Sequence, residues 1–346
     1  MYKLGPIHQG IMERGAKTSS DSYILWPARI GAFSLVMGRH TTHPDLANLP
    51  FSYLIESCDK TFLIPGVNLK SVGTIRDAQK WPRRDARTDP HRLDQINYNL
   101  LSPYTIQKMI NGRQILEELQ RVAGMTSEIY SYQSAKIKAS SLRKGIHYYD
   151  LAIHKFLGNS LIKRLEGLDC TSIEAVRSAL RPTTTIGLGD WVDLSGLIAP
   201  KAEVLRLVEA IESGAIHEVG EIHETLTELH RHYYEYEWTW TYDKIKTYYG
   251  LDLEGATASE IAQLVERWRS SVVELDREVY ADAKKEFSLS AMTGFGADGD
   301  EVQQARDFEE VRGAFDSNPY VSSILKHIED KSALGQELLD RLAPLL

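Results

Sequence analysis

In the stretch YILWPARIGAFSLVMG, residues 23–38, Ile24, Ile30 and Val36 recur at intervals of six, with Gly31 directly after one of them and Gly38 closing the run. An apolar residue keeps a six-residue beat when every hexad turns the same corner, and that beat is the mark of a parallel β-helix built from hexapeptide repeats. An ordinary strand, turn and strand would place the same three residues equally well. Either way strands are expected, because residues 1–57 are rich in β-branched and aromatic side chains with closely spaced turn formers and show no helical period.

Residues 58–101 read as an irregular basic connector holding a strand or two, in FLIPGVNL and SVGTI. Helices are expected from Ser102 onward. Ser102 followed by Pro103 is an N-cap with proline at the first helical position, and Ile106, Met109, Ile110, Ile115, Leu116 and Leu119 form an apolar stripe that runs out near Gly124. Within this helical region, 102–182, further helices are predicted at about 133–144, 147–166 and 172–180, the last opened by a capping box of Thr171 and Glu174. Residues 183–200, TTTIGLGDWVDLSGLIAP, carry four glycines or prolines and no helical stripe, which reads as a boundary loop. An acidic helical bundle is expected over 201–346, with helices at about 201–213, 217–249 and 258–287.

The charge is divided along the chain. Residues 1–170 hold 23 Lys and Arg against 15 Asp and Glu, whereas residues 171–346 hold 17 against 33. Regions of opposite sign either have different partners or attract each other. The basic excess is modest and lacks an RNP, zinc-finger or basic-helix signature, so the expected anion is a phosphorylated small molecule and no nucleic-acid partner is expected. With 346 residues, 42% hydrophobic and 25% charged, the chain has the composition of one large or two ordinary globular domains. No apolar run reaches the roughly 18 residues of a membrane span, and the first residues lack the apolar core of a signal peptide. Cys58 and Cys170 are too few for a disulfide framework or a cysteine zinc site. The setting expected is cytoplasmic, without membrane contact.

The wording of the first half adds to this. HQGIMERGAKTSSDSYILWPARIGAFSLVMGRHTTHPD, LPFSYLIE, PGVNLKSVGTIRDAQKWPRRD, NYNLLSPYTIQKMINGRQIL and YSYQSAKIKASSLRKG resemble an uncharacterised bacterial family, most densely over residues 5–165. Its members look like trimeric LpxA-like left-handed β-helix proteins followed by a helical region, and some are labelled as related to UDP-N-acetylglucosamine pyrophosphorylase. The resemblance implies a mainly α chain with an N-terminal β part: the end of a short left-handed parallel β-helix over residues 1–57, followed by a helical bundle. It also implies a homotrimer assembled through that β-helix. In the family the β-helix begins well before this chain does, and about 40 residues of hexapeptide-like sequence fall short of the three or more coils a solenoid needs. Met1 is therefore expected to open a fragment.

Proteins of the hexapeptide class mostly transfer acyl groups to sugars or accompany a sugar nucleotidyltransferase. A transferase acting on a sugar phosphate or nucleotide sugar is one expectation, and a non-catalytic trimeric scaffold is the other. For the first, His40 in GRHTTHPD follows directly on the last hexad and is the candidate general base, since an imidazole titrates close to working pH. The alternative for His40 is a cap that hydrogen-bonds a turn carbonyl. Arg76, Lys80, Arg83, Arg84, Arg87 and Arg92 put six cations within 17 residues around Trp81. Guanidinium forks match phosphate and an indole offers a face to a base or sugar ring, so Arg76, Lys80, Trp81, Arg83 and Arg84 are the candidate substrate-binding residues. Against that, Asp77, Asp85, Asp89 and Asp94 are interleaved and could close the charge onto itself, or the cluster could dock on the acidic half. His40, His43 and Asp45 have metal-ligand chemistry, and His217, His223, His230 and His232 crowd together without an HExxH or ExxH spacing. No metal or other cofactor is expected.

Overall fold

The computed structural model describes residues 8–297 and 299–346. Six short strands come first: β1 (Ile11–Met12), β2 (Lys17–Thr18), β3 (Tyr23–Ile24), β4 (Arg29–Ile30), β5 (Leu35–Met37) and β6 (Arg39–His40). They pair in parallel, Ile11 opposite Arg29, Lys17 opposite Leu35 and Tyr23 opposite Arg39. The six-residue beat falls on these strands, where Ile30 and Val36 are fully buried. β5 next takes β7 (Tyr53–Ser57) in parallel, with Leu35 opposite Tyr53 at the same spacing as Lys17 from Leu35, and there the repetition stops: β7 turns back antiparallel into β8 (Lys60–Ile64) through Cys58 and Asp59, both in left-handed backbone conformation. A hairpin of β9 (Ile129–Tyr132) and β10 (Ala135–Lys138) adds its second strand to β8, completing a six-stranded mixed sheet in the order β2-β5-β7-β8-β10-β9.

The expected left-handed parallel β-helix end is therefore not what these residues form. The fold is mixed α/β with small sheets, more than half of its residues are helical, and the described residues contain no closed solenoid. The reason is in the covering layers. A solenoid buries each coil under another copy of itself, whereas here the strands around Val36 are covered by the β7–β8 hairpin and by helices.

Helix α1 (Val72–Arg84) follows a single 3-10 turn, and SVGTI, predicted as a strand, forms its start. What overrides the β-branched residues is distant in sequence: the Val72 N–H donates to the Asp282 carboxylate at 3.1 Å. α2 (Pro103–Ala123) opens on the predicted cap, the Ser102 hydroxyl accepting from the Thr105 N–H, and ends before Gly124. α3 (Ala139–Leu165) runs unbroken where the sequence predicts two helices, and the hairpin of β9 and β10 occupies the start of the first. α4 (Ile173–Leu180) is capped by Ser172 rather than Thr171. The presumed boundary at 183–200 holds a hairpin of β11 (Trp191–Leu194) and β12 (Leu197–Pro200). Then come α5 (Lys201–Glu212), α6 (Val219–Arg231), α7 (Tyr233–Tyr249), α8 (Ala258–Ala283), α9 (Glu301–Arg312) and α10 (Pro319–Leu342).

One core joins both halves. Val36, Leu54 and Leu63 pack with Met109 of α2, Tyr149 of α3, Trp191 and Ile198 of the hairpin, Trp240 of α7 and Leu275 of α8. The aromatic run of α7 is part of this interior, with Tyr233, Trp238 and Trp240 buried and both indoles bonded to backbone carbonyls, at 3.0 Å to Leu180 and 3.1 Å to Gly189. α3 and α8 cross so closely that a Cβ on Gly158 would lie 2.4 Å from the Trp268 side chain. Along α8 and the 3-10 turn after it the two oppositely charged regions meet: Lys70 pairs with Glu278 at 2.8 Å and Lys155 with Asp276 at 3.0 Å on α8, and Arg76 with Glu286 just past its end at 2.8 Å. No helix among the described residues is long and apolar enough to cross a membrane.

Candidate functional site

Helix α1 separates two cavities. Thr74, Ala78 and Trp81 recur at helical spacing on one face and Ile75, Gln79 and Arg83 on another, so each set lines its own space.

The first is a cleft of about 360 Å³ between α1 and the strands β2, β5 and β7, with Lys17, Phe33, Tyr53, Trp81 and Tyr98 in its walls. Trp81 stands 61% exposed. Lys17 reaches across to Asp77 at 2.5 Å, and that hydrogen bond holds the Asp77 carboxyl below its ordinary value. Arg14 also lines the cleft; its guanidinium lies over the Phe33 ring at 5.9 Å, with Nη1 3.5 Å from the Asp193 carboxylate and Nη2 donating to the Asn97 carbonyl. The start of α1 reaches the same space through Ser71, Gly73 and Thr74, but its first N–H is already taken by the Asp282 carboxylate, which offsets the positive end of the helix dipole. The cleft thus joins aromatic faces to cationic groups.

The sequence-predicted residues are divided by this geometry. His40 is fully buried, with Nε2 3.1 Å from the Met37 carbonyl and Nδ1 3.0 Å from the Thr61 hydroxyl. A carbonyl only accepts, so Nε2 carries the proton and the Nδ1 lone pair is taken by Thr61. Burial also lowers the pKa of the ring, which keeps it neutral. His40 is in the capping arrangement, has no lone pair left for a base, and is not among the residues lining the cleft. Arg76 is spent on Glu286, whose two oxygens it meets at 2.8 and 2.9 Å. Lys80 stands 4.0 Å from Asp77, beside the cleft. Arg87 and Arg92 close onto Asp85, and Arg87 also onto Asp94. Arg83 and Arg84 make no ion pair with any described residue; Arg83 stands on the far side of α1 from Trp81, at the rim of the second cavity. Of the five binding residues predicted, then, Trp81 alone lines the cleft.

That second cavity, about 510 Å³, lies where α1, α3, α8 and α10 converge. Asp276, on α8, is buried there and bonded on both oxygens, by Lys155 Nζ at 3.0 Å and His327 Nδ1 at 2.6 Å. Burial works against its ionised form, but the His327 hydrogen bond and the Lys155 charge outweigh it and hold the carboxyl below its ordinary value. None of these three was singled out by sequence reasoning. The signal was present: Asp276 interrupts the apolar stripe of Val272, Leu275 and Val279, and an acid in such a stripe must be paired.

In a third, polar space of about 520 Å³ between α2 and α7, Lys108 is engaged by Glu13 at 2.6 Å and the Gln107 amide by both backbone groups of Trp191. Elsewhere Glu237 is sealed inside between Ser160 and Tyr233, and burial pushes its carboxyl up to about 7. The described residues hold no group of three or more metal-ligating side chains placed to share an ion.

Two families match parts of the chain. Residues 1–120 are similar to the one described as Domain of unknown function (DUF4954), and residues 172–342 to the one described as Domain of unknown function (DUF6819). No curated protein and no solved structure matches. The cleft lies wholly within the first match, whereas the four-helix cavity takes Arg83 from the first, Asp276 and His327 from the second, and Lys155 from the segment between.

Proposed function

We propose that this chain binds a phosphorylated sugar or a nucleotide sugar in the cleft beside α1. The observation that carries the reading is one cleft in which Trp81, Tyr53 and Tyr98 stand beside Lys17 and Arg14. A ring stacks on the aromatic faces while a phosphate takes the Lys17 ammonium, whose exposed pair with Asp77 can part to meet it. Transfer chemistry through His40 is not part of the proposal, because its lone pair is engaged; the contribution proposed is binding, in a protein related to sugar-phosphate transferases. The free thiols of Cys58 and Cys170 suit a cytoplasmic setting.

Thermal unfolding of the purified chain against UDP-sugars, sugar phosphates and acetyl-CoA tests this. A ligand bound only by the folded state raises the midpoint by mass action. The expected result is a shift with a nucleotide sugar that is lost in Trp81→Ala and in Lys17→Ala and kept in Arg83→Ala, whose side chain lies on the other face of α1. No shift from a well-folded chain overturns the reading. A second reading, a non-catalytic trimeric scaffold, is favoured by the use of Lys70 and Arg76 to seat the first half on α8 and the 3-10 turn after it. It predicts a trimeric mass in solution and no ligand shift.

A further inference from the structure

The four-helix cavity has a composition unlike the cleft. Its floor is ionic and its walls are hydrocarbon, with Ile75, Leu100, Leu101, Val279 and Ile324 facing a space of about 510 Å³. Among the side chains that face it are the nitrogen-bearing Lys155 and Asn159, one turn apart on α3, His327 on α10, and Gln79 and Arg83, one turn apart on α1. The Trp268 indole donates to Asn159 Oδ1 at 2.7 Å, and since an indole N–H can only donate, the orientation of the Asn159 amide is settled and its NH₂ is left to serve as a donor. Asp276 uses one oxygen on Lys155 and the other on His327 Nδ1, so it neutralises one positive charge and fixes the imidazole by its Nδ1 edge. Since Nδ1 donates to Asp276, Nε2 of an uncharged His327 ring is an acceptor, whereas the Arg83 guanidinium has no hydrogen-bond partner among the described residues. The only carboxylate in the lining is already satisfied, while the Arg83 and Asn159 donors are open.

We propose that this cavity is a binding site for a small amphiphilic anion: a carboxylate or phosphate head held at the mouth by Arg83 and Asn159, with a hydrocarbon body against Ile75, Leu101, Val279 and Ile324. Burial of the body removes apolar surface from water, and the head meets the guanidinium in a charge-assisted hydrogen bond at the exposed rim. An anion is specified rather than a neutral polar group because the donors carry an unbalanced positive charge. The inference is independent of the cleft reading, since the two spaces use opposite faces of α1.

The test is isothermal titration of the full chain with octanoate, octyl phosphate and octan-1-ol, with inorganic phosphate as the head alone. At least one of the two amphiphilic anions is expected to bind saturably, and more tightly than octan-1-ol and inorganic phosphate by at least about tenfold. Which anion binds better identifies the head. Arg83→Ala, on an exposed side chain, is expected to weaken binding by about fivefold or more, while Trp81→Ala leaves it unchanged. Equal binding of octan-1-ol would show an apolar cavity without anion recognition and overturn the proposal. So would failure of both anions to bind the folded chain, or full affinity in Arg83→Ala.

Discussion

The two sides of α1 each hold a lysine–aspartate pair, and the pairs differ in how much water reaches them. In the cleft, the side chains of Lys17 and Asp77 are 55% and 37% exposed; in the four-helix cavity, those of Lys155 and Asp276 are 19% and 10% exposed. Attraction between unit charges grows as the dielectric falls, and so does the cost of taking either charge out of water. An exposed pair can therefore part to meet a ligand at little cost. A buried pair cannot, because a lone charge left behind has no solvent to fall back on. The same two residue types act as an available recognition element on one side and as a structural necessity on the other.

The strongest way to break this contrast is Asp276→Ala. It leaves Lys155 buried without its partner, and by analogy with broken buried pairs it should cost about 3 to 5 kcal/mol in denaturant unfolding. The double variant with Lys155→Met should recover most of that loss, and a small effect of Asp276→Ala alone would show that the pair is better solvated than its burial suggests. The next test sharpens the contrast between buried carboxyls. Asp276 is held ionised by its partners, so its contribution is present above the unfolded carboxylate pKa and is lost as pH falls through its lowered folded pKa. Glu237 is pushed up to about 7 and does the reverse. It is protonated in the folded chain between the ordinary glutamate value and 7, so its contribution is complete below that ordinary value and is lost as pH rises through about 7. Across that window it should remove on the order of 3 kcal/mol of stability, and Glu237→Gln should flatten this part of the profile in urea titrations at stepped pH. Smallest of all is Lys17→Ala, expected to change stability by less than about 1 kcal/mol while abolishing the nucleotide-sugar shift. A large stability loss there would make the cleft pair structural too.

Local signals in the sequence sufficed where the structure is local. Ser102 with Pro103 marks the start of α2, and the beat of Ile24, Ile30 and Val36 falls on strands. What covers those strands was not legible, because a hexad spacing is silent about whether the next layer is another coil or a hairpin and a helix. SVGTI favours a strand by its side chains, yet Asp282, more than 200 residues away, meets the first N–H of a helix there. The hairpin of β9 and β10 alternates over four residues a strand, too few to stand out beside a helix that begins at Ala139. Likewise His40 as a residue type suits a base, and its actual state is decided by Thr61. Arg83 and Trp81 are two positions apart in sequence, which on a helix sends them to different sides, so a cluster in the string became two sites in space.

The shared core has a consequence for how such a chain is inherited. Trp191, Trp240 and Leu275 fill the space beneath the strands of the first family match, and the four-helix cavity takes groups from both matched segments and from the stretch between them. Neither segment closes its own interior. As units of recombination they are unequal: an exchange of the second segment would carry the cleft along intact and split the cavity, so the partners of a successful exchange must already match along α8.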